Sequence, residues 1–473
     1  MIHDVIVVGA GPGGSTAASF LARRGADVLL LDKSDFPRDK VCGDGLTPQA
    51  IYWCDRLGCA EEVLAQTKGV IRDCDLFING RRVLTGGFPG GTAYPDFAVL
   101  LDRRRFDHTL LRNALAHGAK FRAGVTVRGI ERDAEAATVL IRTPTGTETV
   151  RGRIVIGADG VSSTVSRAIG NTLKDGVMAV SLRTYYRGVK IEGAPIRVYF
   201  DRDYFPGYGW LFVDDDGFAN VGLGYAFDHN FPLGDLAAGF RRFIAVELAD
   251  ALAHAERCDR ISGGSAAFYR PHRILDDRVL LVGDAANQAD PLNGGGIHKA
   301  MEGAYLAAEA ALAALDAGDV SRRGLARYQQ LWEQHAACDW QTAEMFLAIA
   351  KNPNLRDFCL FMVEQIGRLT REDRRFEEFC AGIFSGVLAQ SLALSPRALY
   401  GAFPKDRTAW ASFLASNGGA AAPARLARGT VASLATAARY AARDPLPNLD
   451  WSLEVATKAL RLAGRHVSVW AGA

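Results

Sequence analysis

A glycine-rich turn between two apolar segments constrains the fold of this chain more than any other feature of its sequence. Gly9-Ala-Gly-Pro-Gly-Gly14 directly follows Val5-Ile-Val-Val8, and an Ala-rich helical stretch then leads to Val28-Leu-Leu-Leu31. Glycines at these positions permit a tight turn, close approach of the backbone to a pyrophosphate, and close packing of the helix on the strand. The pattern predicts a β-α-β unit of a parallel sheet, with phosphate groups at the amino end of the helix.

An acidic residue closes the second predicted strand. Asp32 lies at the distance at which a carboxylate accepts both hydroxyls of a ribose, and an acidic residue there favours a ribose without a 2′-phosphate. The alternative is a glycine turn that binds no nucleotide. The candidate binding residues in this unit are Gly9, Gly11, Gly14, Asp32 and Lys33.

The rest of the chain predicts further strands, an inserted sheet and a helical end. Ile154-Val-Ile156 and Val279-Leu-Leu-Val282 each lead into Gly followed closely by Asp, which predicts loops at the same sheet edge. Residues 177–225 alternate aromatic and β-branched residues with polar ones, as in a half-buried antiparallel sheet. We expect a discontinuous dinucleotide-binding domain (1–75, 100–175 and 270–315), a substrate-binding β-sheet domain (76–99 and 176–269) and a helical C-terminal region (316–473).

Composition excludes several classes of function. The net charge of +2 indicates no large basic surface for nucleic acid. The eight cysteines form no C-x-x-C pair and no cluster with histidine, so neither a metal site nor a disulfide framework is expected. The chain opens on a strand pattern rather than a signal peptide, and no apolar stretch approaches the roughly 20 residues that span a bilayer. We expect a cytoplasmic protein whose contact with membranes, if any, is peripheral.

Taken together, the ordered motifs resemble the geranylgeranyl reductase family of flavoproteins, which shares its fold with aromatic-ring hydroxylases and flavin halogenases. The resemblance runs from residue 3 to about 315. It implies FAD as the cofactor and a glutathione-reductase-like, Rossmann-type α/β fold with an inserted antiparallel sheet. The motifs that carry it are Gly9 to Gly14, Phe36-Pro-Arg-Asp-Lys-Val-Cys-Gly-Asp-Gly-Leu46, Asp102-Arg103 ahead of Phe106-Asp107, Gly157-Ala-Asp-Gly160, Tyr208-Gly-Trp-Leu-Phe212 with Asn220-Val-Gly-Leu-Gly224, and Gly283-Asp284 to Ile297.

The resemblance implies contacts of several residues with FAD. Arg103 would approach the phosphates, and Val127 would meet the adenine with its backbone. Cys42 and Gly43 would contact the cofactor from a segment that passes over the isoalloxazine ring. Asp159 either holds its loop near the pyrophosphate or only forms a turn.

The same resemblance, together with the strand pattern, assigns the flavin end of the cofactor. Asp284, just after an apolar strand, is placed to bind the ribityl hydroxyls. Free amides of Gly295, Gly296 and Ile297 at the start of a long helix would point at the flavin pyrimidine and favour negative charge there. The family usually carries Glu in this loop, where this chain has Gly295.

Three readings remain open from the sequence. The thiol of Cys42 either donates a proton or is a small side chain in a crowded turn. His298 is either a titratable group near the flavin or a packed residue. Tyr208 and Trp210 share one face of a strand with Phe212, where they either wall an apolar substrate tunnel or belong to the core. Lys40, Asp39 and Asp44 are interpreted as structural or solvated.

The activity implied by the resemblance is reduction of carbon–carbon double bonds in a prenyl or other apolar chain, such as a geranylgeranyl group or a menaquinone side chain. Reduced FAD would deliver hydride, and Cys42 or water a proton. The alternatives are an FAD-dependent monooxygenase on a natural-product scaffold or a flavoprotein that passes electrons to quinone. A halogenase is disfavoured because Gly209-Trp-Leu-Phe-Val213 lacks a second tryptophan and a proline.

Two partners are expected beyond the apolar substrate. The sequence carries one glycine fingerprint, so the reductant that charges FAD comes from outside the chain as NADPH, ferredoxin or reduced flavin. A basic stripe near the end of the chain is either a solvated helix face or a contact with an anionic membrane surface. Its residues are Arg425, Arg428, Arg439 and Arg443.

Overall fold

Two large β-sheets surrounded by helices form the frame of the molecule. The structure is a computed structural model in which residues 1–171, 178–227, 234–268, 273–351, 356–394 and 457–458 are described. The strands are β1 (Ile2–Val8), β2 (Val28–Leu31), β3 (Gly45–Leu46), β4 (Asp73–Ile78), β5 (Arg81–Gly87), β6 (Val99–Leu100), β7 (Lys120–Arg122), β8 (Thr126–Arg132), β9 (Ala137–Thr143), β10 (Gly146–Gly157), β11 (Met178–Arg187), β12 (Ile196–Phe200), β13 (Tyr208–Val213), β14 (Ala219–Phe227), β15 (Glu256–Arg257), β16 (Ser262–Ala267), β17 (Leu275–Asp276) and β18 (Val279–Leu281).

The helices pack on both sheets. A π-helix covers Phe243–Glu247, and short 3₁₀ helices cover Gly283–Ala286 and Gln390–Leu394. The α-helices are α1 (Pro12–Arg23), α2 (Pro48–Leu57), α3 (Ala60–Leu64), α4 (Arg103–Ala116), α5 (Thr164–Ala168), α6 (Leu236–Arg242), α7 (Ala249–Leu252), α8 (Gly296–Ala317), α9 (Ala326–Ala350), α10 (Arg356–Thr370) and α11 (Arg374–Ser385).

The first sheet contains the predicted parallel β-α-β unit. Its strand order is β17-β18-β10-β1-β2-β7, and β1 pairs in parallel with both β2 and β10. Val5 to Val8 are almost completely buried because helices cover the sheet, which explains why these strands are continuous apolar segments. The two further predicted strands are confirmed: they are β10, which pairs in parallel with β1, and β18, which pairs in parallel with β10. Their ends bring three loops to one edge.

The second sheet is mixed rather than purely antiparallel. Its order is β15-β11-β14-β13-β12-β4-β5, with β16 also paired to β11. All pairs are antiparallel except that between β12 and β4, which is parallel. Two of its strands come from residues 73–87 and the others from residues 178–267. The domain boundaries drawn from the sequence stay a prediction.

Helices α8 to α11 follow the strands in the chain. Helix α8 runs from Gly296 to Ala317 and so crosses the boundary predicted at residue 316. Helix α9 packs on α8, while α10 and α11 pack on β5 of the second sheet. Within the described part of the chain, no helix is long and apolar enough to cross a membrane. The four arginines of the basic stripe lie outside the described residues.

Candidate active site

The turn after β1 is fixed by the close approach of three backbone segments. Gly9 has a φ of +99°, which favours glycine, and a Cβ there would collide with the carbonyl oxygen of Ala158. A Cβ on Gly14 would collide with the carbonyl oxygen of Gly9, so α1 packs directly against the strand end. Gly11 separates the two and lies beside the guanidinium of Arg38. Shape therefore requires glycine at Gly9 and Gly14, whereas a Cβ at Gly11 would make only an ordinary contact with Arg38.

Asp32 ties this turn to the second strand. Its Oδ2 accepts the amide of Ala10 at 2.7 Å, and its Oδ1 accepts the amide of Ser34 at 2.8 Å. A carboxylate has about four acceptor sites, so two remain for the ribose hydroxyls that the sequence predicted. Asp32 and Lys33 both line the main cavity at the edge of the first sheet. The carboxylate thus shapes the turn as well as facing the cavity.

Two arginines share one buried carboxylate beside the glycine turn. Arg103, at the start of α4, donates from Nε and Nη2 to the two oxygens of Asp107, each at 2.7 Å. Arg38 donates to Oδ2 of Asp107 at 2.9 Å. Burial lowers the pKa of the Arg103 guanidinium, but the Asp107 carboxylate raises it, and the net result is a pKa above its ordinary value. The cluster carries one net positive charge toward the cavity, which suits an anionic pyrophosphate. Sequence reasoning missed Arg38, although it lies in a quoted motif.

Asp159 and Val127 line the same cavity from two other elements. The carboxylate of Asp159 accepts the amide of Thr164 at 2.7 Å and the hydroxyl of Ser163, so it caps α5. Burial raises the pKa of Asp159. The turn-forming interpretation of this residue therefore has direct support, and a contact with FAD stays a prediction. Val127 pairs with Ile141 where β8 has an irregular register.

The flavin end predicted from the sequence lies where β18 ends and α8 begins. Asp284 faces the cavity, and its Oδ2 accepts Nζ of Lys40 at 3.2 Å. The expectation of a free amide at Gly295 is wrong, because that amide donates to Oδ1 of Asn293 at 2.7 Å and Gly295 does not line the cavity. Gly296 and Ile297 do line it, and as the first residues of a helix they have no intrahelical acceptor for their amides.

His298 is a packed residue rather than a group in the cavity. Its side chain is buried, and its Nδ1 lies 3.2 Å from Oγ1 of Thr47, the N-cap residue of α2. Burial, with a contribution from the charge of Lys299, lowers the pKa of His298 to about 3. The imidazole is therefore neutral at physiological pH. Of the two readings of His298, the structure supports packing.

Cys42 and Gly43 form a turn that packs on the aromatic face of β13. Both residues line the cavity, and a Cβ on Gly43 would lie 2.9 Å from the Phe212 ring. The carbonyl of Cys42 accepts Nδ2 of Asn220 at 2.8 Å. Burial raises the pKa of the Cys42 thiol, so it is protonated at neutral pH. A protonated thiol is the form that the proton-donor hypothesis requires.

Tyr208, Trp210 and Phe212 lie on one face of β13, as their spacing predicts. Their ring centroids are 6.0 and 6.4 Å apart in sequence order. The hydroxyl of Tyr208 donates to the carbonyl of Asn293 at 3.0 Å, which joins this strand to the loop before α8. Tyr208 and Trp210 both line the cavity. The second sheet therefore meets the first at this row of rings.

One cavity of about 610 Å³ joins these groups. Of the residues predicted to contact FAD, only Gly14 and Gly295 lie outside its lining, the former because it packs α1 on β1. The residues that line it at the edge of the first sheet are here called the cofactor cradle: Gly9, Gly11, Asp32, Lys33, Arg38, Arg103, Val127, Asp159, Asp284, Gly296 and Ile297. Within the described residues, no group of three His, Cys, Asp or Glu side chains could hold a metal ion.

Comparison with known proteins identifies the family. Residues 3–197 match the FAD binding domain model. A digeranylgeranylglycerophospholipid reductase of Methanopyrus kandleri is 32% identical over 71% of this chain and 83% of its own length. A menaquinone reductase of Mycobacterium tuberculosis is 31% identical over 67% of this chain and 78% of its own length. The chain belongs to the geranylgeranyl reductase family.

Solved structures give the same fold. A geranylgeranyl bacteriochlorophyll reductase-like protein from Thermoplasma acidophilum has a TM-score of 0.67 and 22% identity, with 88% of this chain and 99% of that chain covered. The flavin-dependent brominase Bmp2 has a TM-score of 0.65 and 20% identity, with 85% of this chain and 98% of that chain covered. At these identities the likeness concerns the FAD-binding fold alone.

As a member of the geranylgeranyl reductase family, the protein is an FAD-dependent oxidoreductase, and the cradle fits that cofactor. Glycines leave room for a pyrophosphate beside the amino end of α1, and the Arg38–Arg103 cluster supplies positive charge there. The carboxylates of Asp32 and Asp284 line the same cavity and can accept hydrogen bonds from the sugar hydroxyls of a dinucleotide. The charge of the cradle and the space beside its glycines therefore suit FAD.

Proposed function

We propose that this protein uses FAD to reduce carbon–carbon double bonds in a long isoprenoid chain. The relatives named above act on a digeranylgeranyl lipid and on menaquinone, both of which carry such chains. The observation that carries the proposal is a trough in the second sheet that opens into the same cavity as the cofactor cradle.

Small side chains on three neighbouring strands form the floor of this trough. In one row across the sheet, Ala179 of β11 lies opposite Ala226 of β14 and Ala266 of β16. In the next row, Ser181 lies between Gly224 and Gly264. All six residues line the cavity. A floor of small side chains leaves space for a narrow flexible ligand.

Aromatic and apolar side chains form the walls. Tyr208 and Trp210 stand on β13 beside the floor, opposite Gly224 and Gly222 in the strand register. Phe268 and Leu347 also line the cavity and pack together with Ala226 of the floor. Each methylene of a chain buried here contributes about 0.8 kcal/mol, so length adds affinity without any polar recognition. The geometry suits an apolar chain better than a compact polar substrate.

Residues of the chain support each part of the reduction. Bound FAD supplies hydride chemistry. The amides of Gly296 and Ile297 at the amino end of α8 favour negative charge nearby. The protonated thiol of Cys42 holds a proton at the junction of cradle and trough, and the aromatic wall excludes water from the apolar chain. The contacts of individual residues with FAD belong to the proposal.

Anaerobic mixing of the dithionite-reduced holoenzyme with prenylated lipids and quinones tests the proposal. We expect flavin reoxidation together with a product heavier by two hydrogen atoms for each reduced double bond. Hydrogens taken up by a quinone head group would assign electron transfer instead. No reaction without oxygen, followed by a product heavier by one oxygen atom when air is admitted, would assign a monooxygenase.

Two further partners complete the proposal. A reductant from outside the chain, NADPH, ferredoxin or reduced flavin, must recharge FAD, and each can be tried as the sole donor in the same assay. Because a polyprenyl lipid resides in a bilayer, we infer peripheral contact with a membrane. Co-sedimentation with anionic vesicles, compared with neutral vesicles, tests that contact.

A further inference from the structure

Asp44 is a buried carboxyl group directly behind the Cys42 turn. It is 3% exposed and has a φ of +61°. Its Oδ2 accepts two hydrogen bonds, from the hydroxyl of Tyr185 at 2.5 Å and from Nδ2 of Asn220 at 2.8 Å. Its Oδ1 is buried and has no hydrogen-bond partner among the described residues. A buried oxygen left unpartnered is costly, so this carboxyl group calls for a functional explanation.

Asn220 connects Asp44 to the site on two sides. Besides its bond to Asp44, its Nδ2 donates to the carbonyl of Cys42 at 2.8 Å. Its Oδ1 accepts Nε1 of Trp210 at 2.8 Å. The amide therefore holds the carboxyl group, the Cys42 turn and the aromatic wall in one network. Movement of any member would shift the thiol relative to the trough.

Charges of opposite sign act on the Cys42 thiol. Burial raises its pKa, the charge of Arg103 lowers it, and the charge of Asp44 raises it. Burial also raises the pKa of Asp44, to about 6, so this carboxyl group is ionised at the pH at which a thiol titrates. The other charged or titratable groups that face the two residues are Lys40 (paired with Asp284), Arg183 (paired with Asp39 and Asp259), Tyr185, Tyr208 and Asp107 (paired with Arg103).

We propose that Asp44 is a positioning residue that fixes the Cys42 turn through Asn220 and, by its negative charge, opposes Arg103 and adds to the effect of burial in holding the proton on the Cys42 thiol. This rests on the proposed function, in which each double bond takes up a hydride and a proton. Cys42 accounts for the proton: its S–H bond breaks, a C–H bond forms, and the remaining thiolate regains a proton from water. A thiolate at Cys42 is destabilised by the Asp44 carboxylate and by the apolar substrate chain, so its reprotonation by water is favoured.

Asp44→Asn is a close test of the charge alone. Both hydrogen bonds to Asp44 end on Oδ2, so an asparagine whose carbonyl oxygen occupies that place keeps them both. Asparagine also tolerates positive φ at least as well as aspartate. Asp39→Asn is the matched control, because Asp39 is an exposed carboxylate that pairs with Arg183, whose charge also acts on Asp44.

The readout is the pH profile of Cys42 alkylation by iodoacetamide in the holoenzyme without substrate, followed by peptide mass mapping. In Asp44→Asn we expect the alkylation rate of Cys42, at a pH below the midpoint of the thiol titration, to rise on the order of fivefold. The negative charge that disfavours the thiolate is gone, whereas the positive charge of Arg103 remains. Asp39→Asn should change the rate less. The exposed Cys258 serves as the reference thiol in every sample.

Bound cofactor could shield the thiol from iodoacetamide, so a second readout follows the infrared S–H stretching band against pH. Subtracting the spectrum of Cys42→Ser isolates the band of Cys42. The midpoint of its titration should move to lower pH in Asp44→Asn. An unchanged titration in a folded, FAD-bound Asp44→Asn variant would overturn the proposal. Since neither readout needs turnover, a shifted titration without alkene reduction would reject the proposed function and leave the role of Asp44 standing.

Discussion

The cofactor cradle and the trough share one cavity but are built differently. In the cradle, backbone atoms set the shape: Gly9 and, just outside the cavity lining, Gly14 permit contacts that any side chain would block, and Asp32 holds two amides. In the trough, side-chain size sets the shape, as at Ala179 and Ser181. A substitution at Gly9 or Gly14 therefore disturbs the fold, whereas a change in the trough alters which ligand fits.

The largest effect that this comparison predicts is at Gly14. In Gly14→Ala the new Cβ collides with the carbonyl oxygen of Gly9, and backbone on both sides has to shift. We expect a loss of about 3 kcal/mol or more in stability, with little FAD retained on purification. Gly90→Ala is the control, since Gly90 is exposed and a Cβ there meets open space. Equal melting temperatures for the two variants would contradict the close packing of α1 on β1.

Asp44 lies between the two regions, and because its pKa is raised in the folded chain, we expect the stability of the protein to depend on pH. Its folded-state pKa of about 6 exceeds its ordinary value of 3.8, so the folded chain binds this proton more tightly than the unfolded chain. Stability from this group is fully present below pH 3.8 and is lost as pH rises through about 6. A difference of about two pH units, at about 1.4 kcal/mol each, amounts to about 3 kcal/mol.

Asp44→Asn removes this proton equilibrium. The urea midpoint of the variant, relative to that of the original protein, should therefore increase between pH 4 and pH 7. Asp39→Asn, which changes an exposed carboxylate, should not reproduce that trend. Parallel pH curves for the original protein and Asp44→Asn would show that burial of Asp44 carries no such linkage.

The cradle was largely predictable from the sequence because its rules are local. Glycine turns, strand ends and a carboxylate after a strand have fixed spacing, so Asp32 and Asp284 were found without any knowledge of packing. Gly295 was assigned a free amide wrongly, because a side-chain acceptor two residues away in Asn293 leaves no pattern in the sequence. Arg38 was missed for a similar reason, since its partner Asp107 is distant along the chain.

The trough was not predictable because it depends on register. Which small residue of β11 lies opposite which residue of β14 or β16 is decided by strand pairing, and a shift of one residue would turn the opposite face to the cavity. Asp44 illustrates the same limit. Its burial follows from Tyr185 and Asn220, which approach from the second sheet, and the sequence indicated only a solvated or structural residue.

A smaller effect is expected when Asp284 of the cofactor cradle is replaced. Asp284→Ala removes an acceptor that faces the cavity without introducing a clash, so the fold should persist while FAD affinity falls roughly thirtyfold. Lys40, its partner, is exposed and can be solvated after the change. The measurement is the dissociation constant of FAD from flavin fluorescence. Asp35→Ala is the control, because Asp35 is exposed and outside the cavity lining; equal FAD affinity in both variants would remove Asp284 from the cofactor site.

The smallest effect is expected for a change in the trough, and it should depend on the length of the substrate chain. Ser181→Leu places a large side chain on the floor of the trough between Gly224 and Gly264, while the cradle is unchanged. FAD content should stay the same, and kcat/KM should fall about tenfold for a long prenyl chain but little for a short one. Ser181→Ala keeps the small volume and should behave like the original protein. If Ser181→Leu reduces long and short chains with unchanged preference, the ligand does not lie on this floor, and side-chain size in the second sheet does not select the substrate.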